Sequence, residues 1–412
     1  MQALVVLTIF ALHILLSSAV AAQQQLQQLQ IPIQSSKGDP DLLPSPFTVE
    51  WVQLLEQFYN TFGGHRNASR EEDECPVEIP EFACDAFYWH DALDRQRSAR
   101  HLRPQDIRSV IALGDSISAG FGMLSGRPPF ATIWEYRGKV FSVGMDIDEY
   151  TLPNFLARYT DTEGGPDGVT FPLSRGKGLD LAVSGAKVQD LNNEVDKLIY
   201  LLNSDKQYRS IKDEWKLITI FIGANNICVL CEKSWTGRSA MAQAEEFERH
   251  MQLVLEKLRD NVSKSFVNLV ALFNVSSVYE AALGDPYCEF VLNPNHLHIC
   301  SCLQGDSEQR LAADLMVAEY NMRLEKLAHN SSLLTHDFYI AYQPGFTAFP
   351  VSKYKQGYLS SFDCFHPNKC ANKVMAMTLW NNMFSSPAEK LEPYDIENLT
   401  FKCPGPDRPY LQ

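Results

Sequence analysis

The stretch Val110-Ile111-Ala112-Leu113-Gly114-Asp115-Ser116 decides how the rest of the chain is interpreted. Four apolar residues in a row are typical of a strand that is buried on both faces. The glycine that follows them indicates a tight turn, and the turn places the Ser116 hydroxyl just past the strand. The stretch therefore predicts a buried strand whose carboxyl end carries a candidate nucleophile.

Further apolar stretches follow this strand and alternate with amphipathic ones. The strand candidates are residues 107–113, 179–183, 217–222, 266–273 and 334–342. The helix candidates are residues 152–159, 187–202, 242–259, 307–327 and 367–383. Such alternation predicts an α/β fold with a parallel sheet of about five strands covered by helices on both faces. The Gly- and Pro-rich residues 119–178 are expected to form loops around a site.

Polar or glycine residues follow four of the five predicted strands. Ser116 follows the first, Gly185 the second and the stretch Gly223-Ala224-Asn225-Asn226 the third, while Asp363 and His366 lie after the fifth. In open parallel sheets, ligands bind beyond the carboxyl ends of the strands. We therefore expect these residues to converge on one edge of the sheet.

The converging residues have the chemistry of a serine hydrolase. A serine hydroxyl needs a base, for which His366 is the candidate, and Asp363 can orient the imidazole and stabilise its charged form. The backbone N–H groups of Ser116 and Gly185 and the side-chain amide of Asn225 are candidate oxyanion donors. Taken singly, each residue favours a structural role over a catalytic one: Asp363 a helix cap, Gly185 an ordinary turn and Asn225 a strand-end cap.

The composition excludes some classes of partner. The chain has 412 residues, of which 45% are hydrophobic, and its net charge is −14 at pH 7. So acidic a balance argues against nucleic acid, because phosphate binding needs a basic face. It also leaves no polybasic patch for anionic membranes, whereas a zwitterionic lipid remains compatible as a substrate.

The first 22 residues are interpreted as a secretory signal peptide. Residues 4–16 are mainly apolar, and the small residues 17–22 offer cleavage sites, although no Lys or Arg precedes them. The alternative is an uncleaved anchor, for which the apolar run is short. No later run is long enough to span a bilayer, and residues 409–412 carry no hydrophobic tail. We therefore expect a secreted, extracellular protein without an integral membrane anchor.

The segments after the signal differ in character. Residues 23–46 are predicted to be a flexible Gln/Pro-rich leader. Residues 47–105 are expected to hold an N-terminal helix at 49–62 and a loop-rich segment stapled by Cys75 and Cys84. Residues 106–412 carry the strand and helix pattern.

Ten cysteines, an even number, suit disulfides in an oxidising compartment. The alternative is zinc, since Cys228-x-x-Cys231 and His296-x-His298-x-Cys300-x-Cys302 have ligand-like spacing. Because disulfides explain these cysteines better in a secreted chain, we predict no metal site and no cofactor. Five asparagines begin N-x-S/T sequons and are candidate glycosylation sites: Asn67, Asn261, Asn274, Asn330 and Asn398.

The chain resembles the GDSL/SGNH hydrolases, in which motifs of this kind occur in the same order. The motifs here are Gly114-Asp115-Ser116, Gly185, Gly223-x-Asn225 and Asp363-x-x-His366. The resemblance implies a three-layer α/β/α, flavodoxin-like fold, with Ser116, Asp363 and His366 as the triad and Ser116, Gly185 and Asn225 as the oxyanion hole. Further strings over residues 75–412 resemble the animal phospholipase B branch, namely residues 135–138, 151–154, 363–367, 379–383, 402–404 and 409–411.

The resemblance implies a hydrolase that releases fatty acids from phospholipids and lysophospholipids through an acyl-enzyme. Two alternatives stay open at this point: an esterase for small soluble or carbohydrate acyl esters, and a silent lipid-binding protein. The chain departs from the family pattern at Asn226, where an aspartate is usual, and at Met145, where the branch tends to have glycine.

Overall fold

The computed structural model describes residues 75–85, 97–127, 134–172, 178–231, 239–294, 299–349, 351–392 and 395–412. The predicted signal peptide at 1–22, the leader at 23–46, the helix at 49–62 and the sequon asparagine Asn67 lie outside these residues, so they stay predictions.

The centre of the fold is a four-stranded parallel sheet in the order β1-β2-β3-β4. Its strands are β1 (Ser109–Gly114), β2 (Lys216–Phe221), β3 (Ser265–Val270) and β4 (Phe338–Gln343). Every residue of β1, β2 and β3 is buried, so both faces of the sheet are covered. The predicted α/β class is confirmed.

The remaining strand candidate, residues 179–183, is an extended segment beside the free edge of β1. The Ala112 N–H donates to the Leu179 carbonyl at 3.1 Å, and the Leu181 N–H donates to the Ala112 carbonyl at 2.9 Å. The segment forms an isolated parallel bridge with β1, not a regular strand. Counting it, the spatial order is that of a flavodoxin-like sheet, and β1 lies where the strand order reverses.

Ten α-helices lie within the described residues. They are α1 (Ser116–Ala119), α2 (Leu152–Leu156), α3 (Leu191–Ser204), α4 (Ala224–Cys228), α5 (Ala240–Asn261), α6 (Ser276–Ala282), α7 (Pro286–Val291), α8 (Ser301–Gln304), α9 (Ser307–Ala328) and α10 (Lys369–Met383). Helix α5 packs against α3 and α9, whereas α10 packs against β4. The sheet is therefore flanked by helices, as predicted.

Capping explains where two of the predicted helices begin. The last helix starts at Lys369 and not at Pro367, because the Asn368 side chain accepts the Ala371 N–H at 3.0 Å. Helix α3 starts four residues later than predicted, because the Lys187 N–H donates to the Asp190 carboxylate at 2.8 Å and closes a turn.

All ten cysteines form disulfides, as expected for an oxidising compartment. The pairs are Cys75–Cys370, Cys84–Cys403, Cys228–Cys300, Cys231–Cys302 and Cys288–Cys364. Cys75 and Cys84 thus tie the loop-rich segment to α10 and to the last ten residues. The zinc alternative loses its four thiolates to disulfides, and His296 and His298 lie outside the described residues.

No helix in the described part of the chain combines the length and apolar character that crossing a bilayer requires.

Candidate active site

The turn after β1 presents Ser116 as the first residue of α1. Gly114 has a φ of +155°, and a Cβ on it would lie 2.3 Å from the Phe221 carbonyl oxygen, so only glycine fits. Asp115 caps α1 by accepting the Ile117 N–H at 3.0 Å. The serine is 8% exposed and lies at the carboxyl end of β1, as predicted.

A loop before α10 places Asp363 and His366 beside this serine. The Asp363 Oδ2 atom lies 2.5 Å from His366 Nδ1, and His366 Nε2 lies 2.7 Å from Ser116 Oγ, across 250 residues of sequence. The other Asp363 oxygen accepts the backbone N–H of His366 at 2.9 Å. The contacts fit an Nδ1–H that donates to the carboxylate and an Nε2 that accepts the serine proton.

The same loop is fixed to the segment after α1. The Ser360 hydroxyl donates to the Gly122 carbonyl at 2.6 Å, and the Ser360 N–H donates to the His366 carbonyl at 2.7 Å. The ring of Phe121 packs edge-on against the imidazole at 4.9 Å between centroids. The serine and the histidine are therefore held by two loops that contact each other directly.

Gly185 and Asn225 follow the elements on either side of β1. Gly185 has a φ of +85° and ends the extended segment, whereas Asn225 lies in α4, just after β2. The Asn225 amide donates to the Ala186 carbonyl at 2.9 Å. Since an amide carries two N–H donors, this bond orients the side chain and leaves a second donor. The structure thus joins Asn225 to the residue after Gly185, and the oxyanion hole stays a prediction.

Asn226, the departure from the family pattern, is hydrogen-bonded at both ends. Its carbonyl accepts the Val188 N–H at 2.9 Å, and its amide donates to the Gln189 side-chain oxygen at 3.1 Å. The missing carboxylate therefore leaves no buried polar group unsatisfied at this position.

A buried ion-pair network supports the segment that leads to Gly185. The guanidinium of Arg137 lies 2.6 Å from Glu135 and 3.0 Å from Asp180, and it donates to two backbone carbonyls of the extended segment. Glu135 also accepts the Ser184 hydroxyl at 2.6 Å. Residues 135–138 belong to a string that resembles the phospholipase B branch, but no role was predicted for them. The signal for this network is a pair of opposite charges two residues apart, Glu135 and Arg137, in a Gly/Pro-rich loop.

A second carboxylate for which no role was predicted holds the turn that carries Ser116. Glu194, on α3, accepts the Gly114 N–H at 2.9 Å and is 3% exposed. Burial raises its pKa well above the ordinary range. Burial also raises the pKa of Asp115 to about 6, although the Ile117 N–H and His366 lower it in part. No sequence pattern distinguishes Glu194 from the other charged residues of its helix.

An apolar pocket adjoins the site. Its lining includes Ile117, Ala224 and Phe365, which are the chain neighbours of Ser116, Asn225 and His366. The other lining residues are also apolar: Ile227, Leu272, Phe273, Val275, Val278 and Val317. A group bound beside the serine on this side therefore meets hydrocarbon.

The described sequon asparagines differ in exposure. Asn261, Asn274 and Asn398 are exposed, whereas Asn330 is half-buried and caps a short helical turn. Their glycosylation stays a prediction.

Comparison with known proteins identifies related sequences. Residues 110–379 match the family model described as GDSL-like Lipase/Acylhydrolase. The membrane-associated phospholipase B1 of Homo sapiens is 29% identical over 332 residues, which is 76% of this chain and 21% of that protein. The Mus musculus protein of the same name is 29% identical over 327 residues, with the same coverage. The chain therefore spans about a fifth of the length of these relatives.

Two solved structures are similar at low identity. A lipase from a goat rumen metagenome is 16% identical and has a TM-score of 0.36, with 66% of this chain and 95% of that chain covered. A catalytic mutant of an acetylxylan esterase from Geobacillus stearothermophilus is 12% identical and has a TM-score of 0.35, with 67% and 93% covered.

Proposed function

The chain belongs to the GDSL-like lipase/acylhydrolase family, and on that premise we propose that it is a secreted serine hydrolase that releases fatty acids from phospholipids and lysophospholipids. The observation that carries the proposal is the hydrogen-bonded series from Asp363 through His366 to Ser116. The 2.7 Å between His366 Nε2 and Ser116 Oγ falls in the range that direct proton transfer requires.

The first half of the reaction forms an acyl-enzyme. His366 Nε2 takes the proton of Ser116 as the serine oxygen bonds to the ester carbonyl carbon, and Asp363 stabilises the resulting imidazolium. The carbonyl oxygen becomes negatively charged and accepts hydrogen bonds from the backbone N–H groups of Ser116 and Gly185 and from the Asn225 amide. When the tetrahedral intermediate collapses, the C–O bond to the leaving alcohol breaks, and His366 donates its proton to that oxygen.

The second half repeats these steps with water. His366 removes a proton from a water molecule, whose oxygen bonds to the acyl carbon. The bond to Ser116 then breaks, the serine regains its proton from the imidazolium, and the fatty acid leaves. The triad ends the cycle in the protonation state in which it began, so no cofactor enters the reaction.

Three observations support a lipid ester as the substrate. The small pocket lined by Ile117, Ala224 and Phe365, which are chain neighbours of the site residues, is apolar, and this suits hydrocarbon. The curated relatives are named as phospholipases. The five disulfides fit secretion into a compartment where such lipids are accessible. The silent lipid-binding alternative rested on Asn226, whose hydrogen bonds are satisfied here.

The experiment compares fatty-acid release from phosphatidylcholine and lysophosphatidylcholine by the wild type and by Ser116→Ala. We expect the variant to lose about 10⁴-fold or more of the activity, because triad members act as a unit. Ser118→Ala is the matched control: it removes a buried hydroxyl two residues further along α1 that lies outside the triad. Near-normal turnover by Ser116→Ala would contradict the proposal.

Further substrates separate the alternatives. Faster turnover of short soluble or carbohydrate acyl esters than of micellar phospholipid would favour the hypothesis of an esterase for small esters. An active-site serine phosphonate that fails to label a lipid-binding wild type would favour the silent protein.

A further inference from the structure

Helix α7 contacts the loop that carries Asp363 at two adjacent points. The Tyr287 hydroxyl donates a hydrogen bond to the Phe362 carbonyl. The next residue, Cys288, forms a disulfide with Cys364. Since Phe362 and Cys364 immediately precede and follow Asp363, two consecutive residues of α7 fix the backbone on both sides of this carboxylate.

We propose that Tyr287 and Cys288 are positioning residues, which keep Asp363 in the orientation that accepts the His366 Nδ1–H. This inference rests on the proposed function, because it assigns a role within the same triad. Both residues are joined to the chain neighbours of Asp363, so both act on the triad through the position of Asp363.

The loop needs such support because its backbone is locally unfavourable. Cys364 has a φ of +54°, in the left-handed region that side chains other than glycine rarely adopt. Residues in such regions persist where the surrounding structure over-determines them. The turn at Cys364 is what lets one Asp363 oxygen accept the N–H groups of Phe365 and His366, each at 2.9 Å. If the backbone at Cys364 leaves this conformation, the Asp363 carboxylate loses these two hydrogen bonds and its orientation toward the imidazole.

Tyr287 is itself held in place by contacts with Arg127 and Asp285. The Arg127 guanidinium lies 4.7 Å from the centre of its ring, and Arg127 forms an ion pair with Asp285 at 2.5 Å. Asp285 also caps α7 by accepting the Tyr287 N–H at 2.9 Å. Burial and the charge of Asp363 raise the pKa of Tyr287 above its ordinary range, so its hydroxyl remains a donor across the pH range of an assay.

Two variants of the secreted full-length chain test the proposal. Tyr287→Phe removes the hydroxyl and keeps the ring, whereas Cys288→Ala with Cys364→Ala removes the disulfide and leaves a non-glycine residue at position 364. The control is Cys231→Ala with Cys302→Ala. Its disulfide joins segments that contain neither Asp363 nor the chain neighbours of Asp363, so the control tests the loss of a disulfide elsewhere in the fold.

We expect kcat to fall about tenfold in Tyr287→Phe, as for the loss of one hydrogen bond. In the double variant we expect a fall of about 10²-fold, as for a displaced catalytic group. KM for lysophosphatidylcholine should stay unchanged in Tyr287→Phe, because Tyr287 is not among the residues that line the apolar pocket. The double variant is judged by kcat and not by KM, because Cys364 directly precedes the lining residue Phe365. The low-field proton resonance of the Asp363–His366 hydrogen bond should weaken or broaden in both. The control should keep kcat and the resonance.

Near-normal kcat and an intact resonance in both variants would overturn the proposal, as would an equal loss of kcat in the control. If the double variant does not fold, Tyr287→Phe decides by the same two measurements. If the wild type hydrolyses no ester, the proposed function fails, and the resonance alone then decides whether α7 positions Asp363.

Discussion

Replacing Arg137 by methionine tests how strongly the segment before Gly185 depends on the buried ion-pair network. Arg137 is 4% exposed, and its guanidinium lies between two carboxylates, Glu135 at 2.6 Å and Asp180 at 3.0 Å, whose side chains are fully buried. Methionine fills much of the volume but leaves both carboxylates without their cation. Breaking a buried pair in this way typically costs about 3–5 kcal/mol, and we expect a loss of unfolding free energy of that size at pH 7.5.

The loss of unfolding free energy in Arg137→Met should be smaller at lower pH. Burial raises the pKa of Asp180 to about 6 in the folded protein, and Arg137 counteracts that rise. Without the cation the folded-state pKa rises further above the unfolded value, so the folded variant binds a proton more tightly than the unfolded chain does. Its stability therefore increases as pH falls through that pKa, and the difference from wild type should be smaller at pH 5 than at pH 7.5.

Urea unfolding at both pH values, with the disulfides intact, measures the effect. Lys139→Met is the matched control, because it removes a nearby cation whose partners, Glu149 at 2.7 Å and Asp146 at 3.1 Å, are partly exposed. That change should cost about 1 kcal/mol or less. A loss below about 1 kcal/mol in Arg137→Met, or an equal loss at both pH values, would refute the reasoning.

Further predictions concern residues around the nucleophile. Asn225→Ala should lower kcat roughly 10²-fold by removing one oxyanion donor; unchanged steady-state turnover would exclude that role. Asn226→Asp should leave kcat within about twofold, since the Gln189 amide can turn to donate to the carboxylate, and a large loss would show that the neutral side chain is required. Asp115→Asn should raise the unfolding free energy at pH 7.5 by about 1–3 kcal/mol, because burial raises the pKa of this aspartate from 3.8 to about 6 and its ionisation disfavours folding. The gain should vanish as pH falls toward 4, and a gain that does not depend on pH would contradict this.

The regular elements of the fold can be predicted because their signals are local. A strand buried on both faces is a short apolar run, and β1 was expected at residues 107–113 and lies at Ser109–Gly114. Residues 179–183 carry the same signal without forming a regular strand. Arg137, more than 40 residues earlier, donates to the carbonyls on their outer side, and no sequence window contains both partners.

By itself, the sequence determined the α/β class and the positions of Ser116, Asn225 and His366 after particular strands, since apolar periodicity and turn chemistry depend on neighbouring residues. Only the tertiary structure decided the 2.7 Å contact across 250 residues and the pairing of Cys288 with Cys364. Eight cysteines already allow 105 sets of disulfide pairs, and this chain has ten. The spacing of the cysteines along the sequence does not determine which of these sets forms. The support of Asp363 by Tyr287 is likewise set by how two distant loops meet, which depends on the packing of the whole chain and not on any one segment of it.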